Sequence, residues 1–496
     1  MKLFTERKTW ISLNQHAQSL RLRSMSNFKD NFLSPARLRQ LQTNNITLDF
    51  SNQRMDTTTL ELLFELANEC QVKEKINALI RGDKISQSQH RPALHTALRS
   101  SNSQPIFVDG YDITHAILAT REKMWSISSQ IRAKRWLGYT GIPITAIINI
   151  GMGGSDLGPR FCINALAEYT ATHLTYHFIS DIDPSSFENA VVGLQPETTL
   201  FIVSSKSFKT QETLYNTKKA FAWIGKPRHY KKHFIAITAN SKKANEFGID
   251  CVLPIWDWVG DRHSTCSAIN LITCIAVGYE RFSELLAGAN SMDRHFHHSE
   301  LKENLPVVMA LIGLWNNNFR HIPNLLLLIY AKQLEQFVPY IQLLDMESNG
   351  KSIDINGCPV NYETGPIVWG GLGNQAQHSY YQLLCQGTHK ITADFISTRT
   401  FENDTINSYC NAKIRVLSQG VIESDLNACI PGGMPINHIC LSSCSPFSLG
   451  ELIALYEHKI FIQGLIWNIN SFDNPGVESA KRFHLSAVDL VNTEVY

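Results

Sequence analysis

The sequence predicts an α/β protein with two α/β/α layers built on mainly parallel sheets. Three observations carry this. First, from about residue 113 strand-like apolar runs at 146–150, 174–179, 199–203, 234–238 and 251–255 alternate with helical patterns, the spacing of βαβ units. Second, another set begins near residue 305, with runs at 324–330, 366–369 and 391–396 between helical patterns near 331–343, 375–385 and 404–418. A long helical pattern over 448–468 closes that set. Third, the run Ile147 to Ile150 ends in Gly151, Gly153, Gly154 and Ser155, and a helical segment follows over 159–169. A strand, a glycine-rich turn and a helix present free backbone N–H groups to an anion. Right-handed crossovers place such turns along one sheet edge, where ligands bind. No internal repeat is clear enough to prove that the two layers arose by duplication.

Residues 1 to about 45 are polar and mildly basic, with Arg21, Arg23, Arg37 and Arg39 scattered through them. They read as a solvated helical lead-in. From Thr57 to Cys70 the apolar residues Leu60, Leu63, Phe64 and Ala67 form a helical stripe. Arg91 to Arg99 reads as another helix, with Pro92 tolerated in its first turn. Near the end, Asn474 and Pro475 have the character of an N-cap and a first helical residue, which places Lys481 in a C-terminal helix. The expected division is therefore an N-terminal helical segment (1–112), a first and smaller α/β/α domain (113–280), a second and larger one (281–472), and a C-terminal helix or tail (473–496).

Composition narrows the function. The chain has 496 residues, 44% of them hydrophobic and 18% charged, which suits globular domains with real cores. Forty-five basic and 44 acidic residues leave a net charge of +1, which argues against nucleic acid as a main partner and requires any anion recognition to be local. The 11 cysteines show no C-x-x-C pair, as expected of reduced thiols in the cytoplasm. Cys440 and Cys444 have no histidine at metal-finger spacing. Residues 1–14 lack the apolar core of a signal peptide, and no apolar run reaches the roughly 20 residues of a membrane span.

The glycine turn is not a dinucleotide fingerprint, because Asp156 stands at the third glycine position. No G-K-[ST] follows, so it is not a nucleotide P-loop. A second turn, Ser205-Lys-Ser-Phe-Lys-Thr210, follows the run 199–203. Its hydroxyls and backbone N–H groups suit phosphate oxygens at a helix start, with Lys206 or Lys209 adding charge. Its alternative reading is a capped helix start with solvated lysines.

Four further residues stand out. Glu347 follows a helical pattern and is read either as a positioned carboxylate base or as half of a surface ion pair with Lys351, four residues on. His378 follows the turn Gly370 to Gly373; a helix N-terminus there would favour a neutral acid–base imidazole, and the alternative is a hydrogen-bonded core histidine. Arg262, close to Trp256 and Trp258, is either stacked on them or a fixed positive charge for a developing oxyanion. Lys481 is otherwise a surface lysine. The group His295, His297 and His298 reads as a polar helix face rather than a metal site.

Together these stretches resemble the phosphoglucose isomerase family. The matching motifs are Gly138 to Gly141, Gly151 to Pro159, Ser205-Lys206, Thr210 to Thr213, Trp256 to Gly260, Asp345 to Lys351, Thr364 to Gly370, Gln377 to Ser379, Tyr456 to Phe461 and Gly476 to Glu478. They fall in order over about nine tenths of the chain. The resemblance implies two sugar-isomerase (SIS) domains and a homodimer that interconverts glucose 6-phosphate and fructose 6-phosphate in glycolysis and gluconeogenesis. It implies no metal and no organic cofactor, a small-molecule sugar phosphate as the partner, and neither nucleic acid nor membrane. By motif, Glu347 matches the carboxylate that moves a proton between C1 and C2 through a cis-enediol. His378 matches the ring-opening histidine, given to the partner subunit's site. Lys481 matches the lysine at the ring oxygen and Arg262 the arginine facing the enediolate. Gly154, Ser155, Ser205, Lys206, Ser207, Thr210, Gln342 and Asn474 match substrate and phosphate contacts.

The chain departs from the family pattern at Asp261 and His263 beside the arginine, at Leu343 after Gln342, at Asn474-Pro475, at Lys209, and in the turn from Gly370 to Ala376. These departures bear on substrate affinity more than on reaction type. Two other readings are a non-catalytic sugar-phosphate regulator, which has no need of Glu347, His378, Arg262 and Lys481 together, and a dinucleotide oxidoreductase, which Asp156 disfavours.

Overall fold

The structure, a computed structural model, describes residues 4–26, 39–100, 105–399 and 404–483. Thirteen strands form two larger sheets and a hairpin among these residues. Strands β1 (Gln40–Gln42) and β2 (Ile46–Asn52) come first, followed by the hairpin β3 (Phe107–Val108) and β4 (Tyr111–Asp112).

The first large sheet contains β5 (Ala146–Gly151), β6 (Thr175–Ile179), β7 (Thr199–Ser204), β8 (Phe234–Thr238) and β9 (Val252–Pro254). Its order is β6-β5-β7-β8-β9, all parallel. Every residue of β5, β7 and β8 is buried, the consequence of covering both faces of a parallel sheet. Gly151 lies opposite Ser204, so the glycine turn and the Ser205 turn leave the sheet side by side.

The second large sheet contains β10 (Asn324–Ile329), β11 (Ile367–Leu372), β12 (Thr392–Thr398) and β13 (Ile436–Leu441) as parallel neighbours in the order β13-β12-β10-β11. β2 joins β13 antiparallel, and β1 joins β2 antiparallel. The fold is thus α/β with mixed sheets. The sequence reading gave no strand to 40–52 or 436–441. The alternation of Ile46, Leu48 and Phe50, all buried, is the period-two signal that identifies β2.

The helix Pro446–Ile466 runs through the core and is buried almost throughout. It lies against helix Tyr279–His298 at a glycine crossing. A Cβ on Gly288 would stand 1.9 Å from the Phe447 carbonyl oxygen, and one on Gly450 would stand 2.0 Å from that of Leu285. Further along, the helix carries polar side chains to buried partners. Tyr456 donates to Asp394 Oδ2 at 2.8 Å, His458 Nε2 sits 2.7 Å from Asp293 Oδ1, and Lys459 Nζ lies 3.4 Å from Asp345 Oδ2. Glu457 receives Arg99, which also grips Asp293 with two nitrogens at 2.7 and 2.8 Å.

Three helical expectations are corrected. Residues 91–99 form no α-helix: Arg91 bridges to Ser86, the Leu94 N–H bonds to the Trp258 carbonyl, and only Ala97–Arg99 makes a 3-10 turn. The buried partners of Arg99 and the contact with Trp258 outweigh local helix propensity. The lead-in is helical over Lys8–Ser26 but is not simply solvated, because Trp10, Leu13 and Ala17 are buried and Trp10 packs on Phe319. Arg37 lies outside the described residues. The pattern 375–385 splits into Gly373–Ala376 and Tyr381–Gln386. The N–H groups of His378 and Ser379 turn back to the carbonyls of Gln375 and Ala376, and Tyr380 packs on Trp369.

Candidate active site

A cleft of about 860 Å³ opens beside the C-terminal ends of β5 and β7. Met152, Gly153 and Ser155 line it on one side. Gly153 has φ +55° and Gly154 touches the neighbouring loop: a Cβ there would meet the Asp261 carbonyl oxygen at 2.2 Å. Glycine at 154 therefore allows the 151–155 turn to rest directly on the 261–262 backbone. Asp156 faces elsewhere, paired with Arg160 through contacts of 2.8 and 3.0 Å. Burial raises its carboxyl above the usual range despite that partner.

Ser205, Lys206, Ser207, Lys209 and Thr210 line the next wall. Phe208, buried at φ +50°, pins this loop into the core, while Ser207 and Lys209 remain exposed. Ser205 Oγ lies 3.3 Å from Thr210 Oγ1, just before helix Gln211–Ile224. Of the two lysines, Lys206 is tied down: its ammonium donates to the carbonyls of Asp257 and Val259 at 3.1 and 2.6 Å, and burial lowers its pKa. Lys209 is the exposed cation of this loop.

Glu347 lies in the same cleft as Ser155 and Ser205. It follows a π-helical turn, Gln342–Met346, a distortion that re-aims the residues after it. Its Oε1 accepts a hydrogen bond from Asn474 Nδ2 at 2.7 Å, and its Oε2 lies 3.4 Å from Arg262 Nη1. Arg262 is buried and fixed by Ser348 Oγ at 3.0 Å and by the carbonyls of Ser471 and Asp473 at 3.2 and 3.0 Å. It does not stack on the tryptophans, since Trp256 and Trp258 stack on each other at 4.9 Å. Asp261 opens onto the solvent of the cleft, yet the surrounding protein raises its carboxyl, against the pull of Arg262.

The ion pair of Glu347 with Lys351 does not form. Lys351 reaches Asp473 at 2.8 Å and the carbonyls of Asn470 and Asp473 instead. Lys481 stands at the rim of the cleft on a helix over 475–483, exposed and 3.3 Å from Glu478. Asn474 does start that helix, its carbonyl accepting from the Glu478 N–H, but its side chain turns to Glu347.

Three other sequence candidates fall outside the lining. Gly154 acts through the loop contact just described, and the Gln342 amide donates to the Val368 carbonyl at 3.1 Å while Leu343 faces the cleft. His378 is exposed and stands apart from this cleft, between two short helices rather than at the start of one. Sequence reasoning missed Arg91, Asn240 and Asp257, which also line the cleft. The predicted helix over 91–99 had hidden Arg91. Of the three histidines, His295 accepts from the Leu305 N–H, and among the described residues no three His, Cys, Asp or Glu side chains converge to hold a metal ion. No helix among them is long and apolar enough to cross a membrane.

An α/β fold with hydroxyl-bearing turns, a fixed arginine and a carboxylate facing one cleft belongs to the class of sugar-phosphate isomerases. The Phosphoglucose isomerase family model matches residues 49–494. Glucose-6-phosphate isomerase of Legionella pneumophila (strain Lens) is 57% identical over 491 residues, covering 98% of this chain and 97% of the relative. That of Shewanella sp. (strain ANA-3) is 42% identical over 515 residues, covering 97% and 94%. The crystal structure of a glucose-6-phosphate isomerase from Chlamydia trachomatis superposes with a TM-score of 0.89 at 28% identity, covering 99% of this chain and 97% of that one. The chain belongs to the phosphoglucose isomerase family.

Proposed function

We infer that the protein interconverts glucose 6-phosphate and fructose 6-phosphate, as an aldose–ketose isomerase of glycolysis and gluconeogenesis. The observation that carries the chemistry is Glu347 in one cleft with Ser155, Ser205, Ser207 and Thr210. The hydroxyls and N–H groups of the two turns hold the phosphate, so binding energy at that end positions the reacting end. On the opened aldose, Glu347 takes the C2 proton and the electrons move onto O1. The resulting cis-enediolate faces Arg262, whose buried guanidinium is already fixed before charge develops. Glu347 returns the proton to C1 as the C2 carbonyl forms, and the O2 proton passes to O1, which is left as a hydroxyl. The product is an isomer of the substrate, so one base suffices and no redox partner enters the balance.

Lys481, at the rim, assists at the ring oxygen. We assign His378 to the site of a second copy in a homodimer, a reading supported by its exposure away from its own cleft. Two SIS-type domains, 113–280 and 281–472, are flanked by the N-terminal segment 1–112 and the tail 473–496, a division supported by the two separate large sheets. Cytoplasmic placement is supported by 11 cysteines that are all unpaired.

A coupled assay with fructose 6-phosphate, run beside mannose 6-phosphate, tests the reading. Turnover with fructose 6-phosphate is expected, and its absence would overturn the assignment. His378→Ala is expected to slow cyclic substrate by about 100-fold, within the range of a lost acid–base group, and to spare open-chain substrate. Equal losses on both would count against a ring-opening role.

A further inference from the structure

We propose that Asn474 is a positioning residue for Glu347: its amide holds Oε1 and thereby leaves Oε2 as the oxygen that carries the proton between C1 and C2. The inference deepens the functional reading and rests on Glu347 being the base. The contact is 2.7 Å from Asn474 Nδ2 to Glu347 Oε1. An ionised carboxylate only accepts hydrogen bonds, so the amide must present its N–H groups there.

The backbone around Asn474 is locked. Asp473, its neighbour, is held by Lys351 at 2.8 Å, by Asn470 Nδ2 at 2.9 Å, by Ser88 Oγ, and through its carbonyl by Arg262 at 3.0 Å. Ser471 Oγ donates to Asn349 Oδ1 at 2.7 Å, inside the short helix that begins at Glu347. Asn474 thus sits on a strap tied both to the arginine and to the turn bearing the base.

An asparagine that starts a helix ordinarily spends its side-chain oxygen on the helix's own N–H groups. Here the side chain reaches across 127 residues to Glu347. The hydrogen bond also survives turnover. When Glu347 takes the substrate proton on Oε2, Oε1 becomes a carbonyl-type oxygen and can still accept from the same amide. The carboxyl therefore keeps its position in both states, which a base that must release and return one proton needs. The charged groups around Glu347 are Arg262 and Asp261 from the adjoining turn, Lys351 downstream on its own segment, and Lys481 with Glu478 on the C-terminal helix.

The test is kcat and KM, measured separately for fructose 6-phosphate in Asn474→Ala and Asn474→Asp, with thermal midpoints measured beside them. For Asn474→Ala the expected result is a kcat lowered by about 10- to 100-fold, the scale of a hydrogen bond to a charged group, and a KM within about threefold. Asn474→Asp, nearly isosteric, puts a second carboxylate where the donor stood and should lower kcat at least as far, again with KM little changed. If Asn474 instead binds substrate, both variants raise KM about tenfold or more with kcat little changed, and the proposal is overturned. Should Asn474→Ala fail to fold, the split between kcat and KM in Asn474→Asp decides alone. Absence of isomerisation in the unmutated protein would overturn the functional reading itself, and this inference with it.

Discussion

Glu347→Gln is expected to lower kcat for fructose 6-phosphate by roughly 1,000- to 10,000-fold, the upper range for removing an acid–base group. Sugar-phosphate affinity should change little. The substitution keeps the shape of the side chain and an oxygen that Asn474 can still reach, and it leaves both phosphate turns untouched. It removes only the group that can accept and return a proton. Steady-state turnover and direct calorimetric binding of fructose 6-phosphate separate the two effects. Near-normal turnover would remove Glu347 from the mechanism, and loss of binding without folding damage would make it a substrate anchor instead.

Arg99→Met is expected to destabilise the fold by about 3–5 kcal/mol, the cost of breaking a buried ion pair by removing one partner. Arg99 is fully buried, with Asp293 at 2.7 and 2.8 Å and Glu457 at 2.5 Å. Methionine fills similar volume but leaves two carboxylates in the core, with His458 still on Asp293 and Glu457 deprived of Arg99. The denaturation midpoint measures this, and a change below about 1 kcal/mol would mean that water reaches the cluster.

The same cluster has a pH signature. Burial pushes the Glu457 carboxyl from an ordinary 4.5 up to about 7, with Arg99 opposing. Burial acts to raise Asp293 too, but Arg99 and His458 hold it below its ordinary value, so it stays ionised through this window. Below the unfolded value Glu457 is protonated in both states. As pH rises through about 7 the folded protein must ionise it at a cost, so its stability contribution is lost between roughly pH 4.5 and 7. Glu457→Gln stays neutral throughout. Relative to the unmutated protein, its thermal midpoint is expected to improve from pH 5 to pH 8. A constant difference would place the titration elsewhere.

Much of this was legible in the sequence because the relevant signals are local. The runs 146–150 and 199–203 lie wholly in the core, so their apolar character is continuous, and the glycine and serine turns follow directly. What was not legible depends on distant partners. Residues 91–99 have a helical pattern, yet Arg99 answers to Asp293 and Glu457, and Leu94 to Trp258. β13 alternates with His438 and Cys440 and gives no clean apolar run, so its pairing with β2 across nearly 400 residues was invisible. Glu347 looked like a partner for Lys351 because they are four apart, whereas the π turn before Glu347 and the strap at 470–474 assign each a different neighbour. Asn474 was read as a phosphate contact by motif, and only the folded chain brings its amide to the base.

The most direct test follows the hydrogen itself. Glucose 6-phosphate deuterated at C2 is converted in ordinary water, and the label is counted at C1 of fructose 6-phosphate and in the solvent. One carboxylate working on one face of the sugar predicts label in both places for the unmutated protein and in neither for Glu347→Gln. Complete transfer to C1 with no label reaching the solvent would indicate a hydride shift, and unchanged exchange in Glu347→Gln would indicate another base; either result contradicts the account.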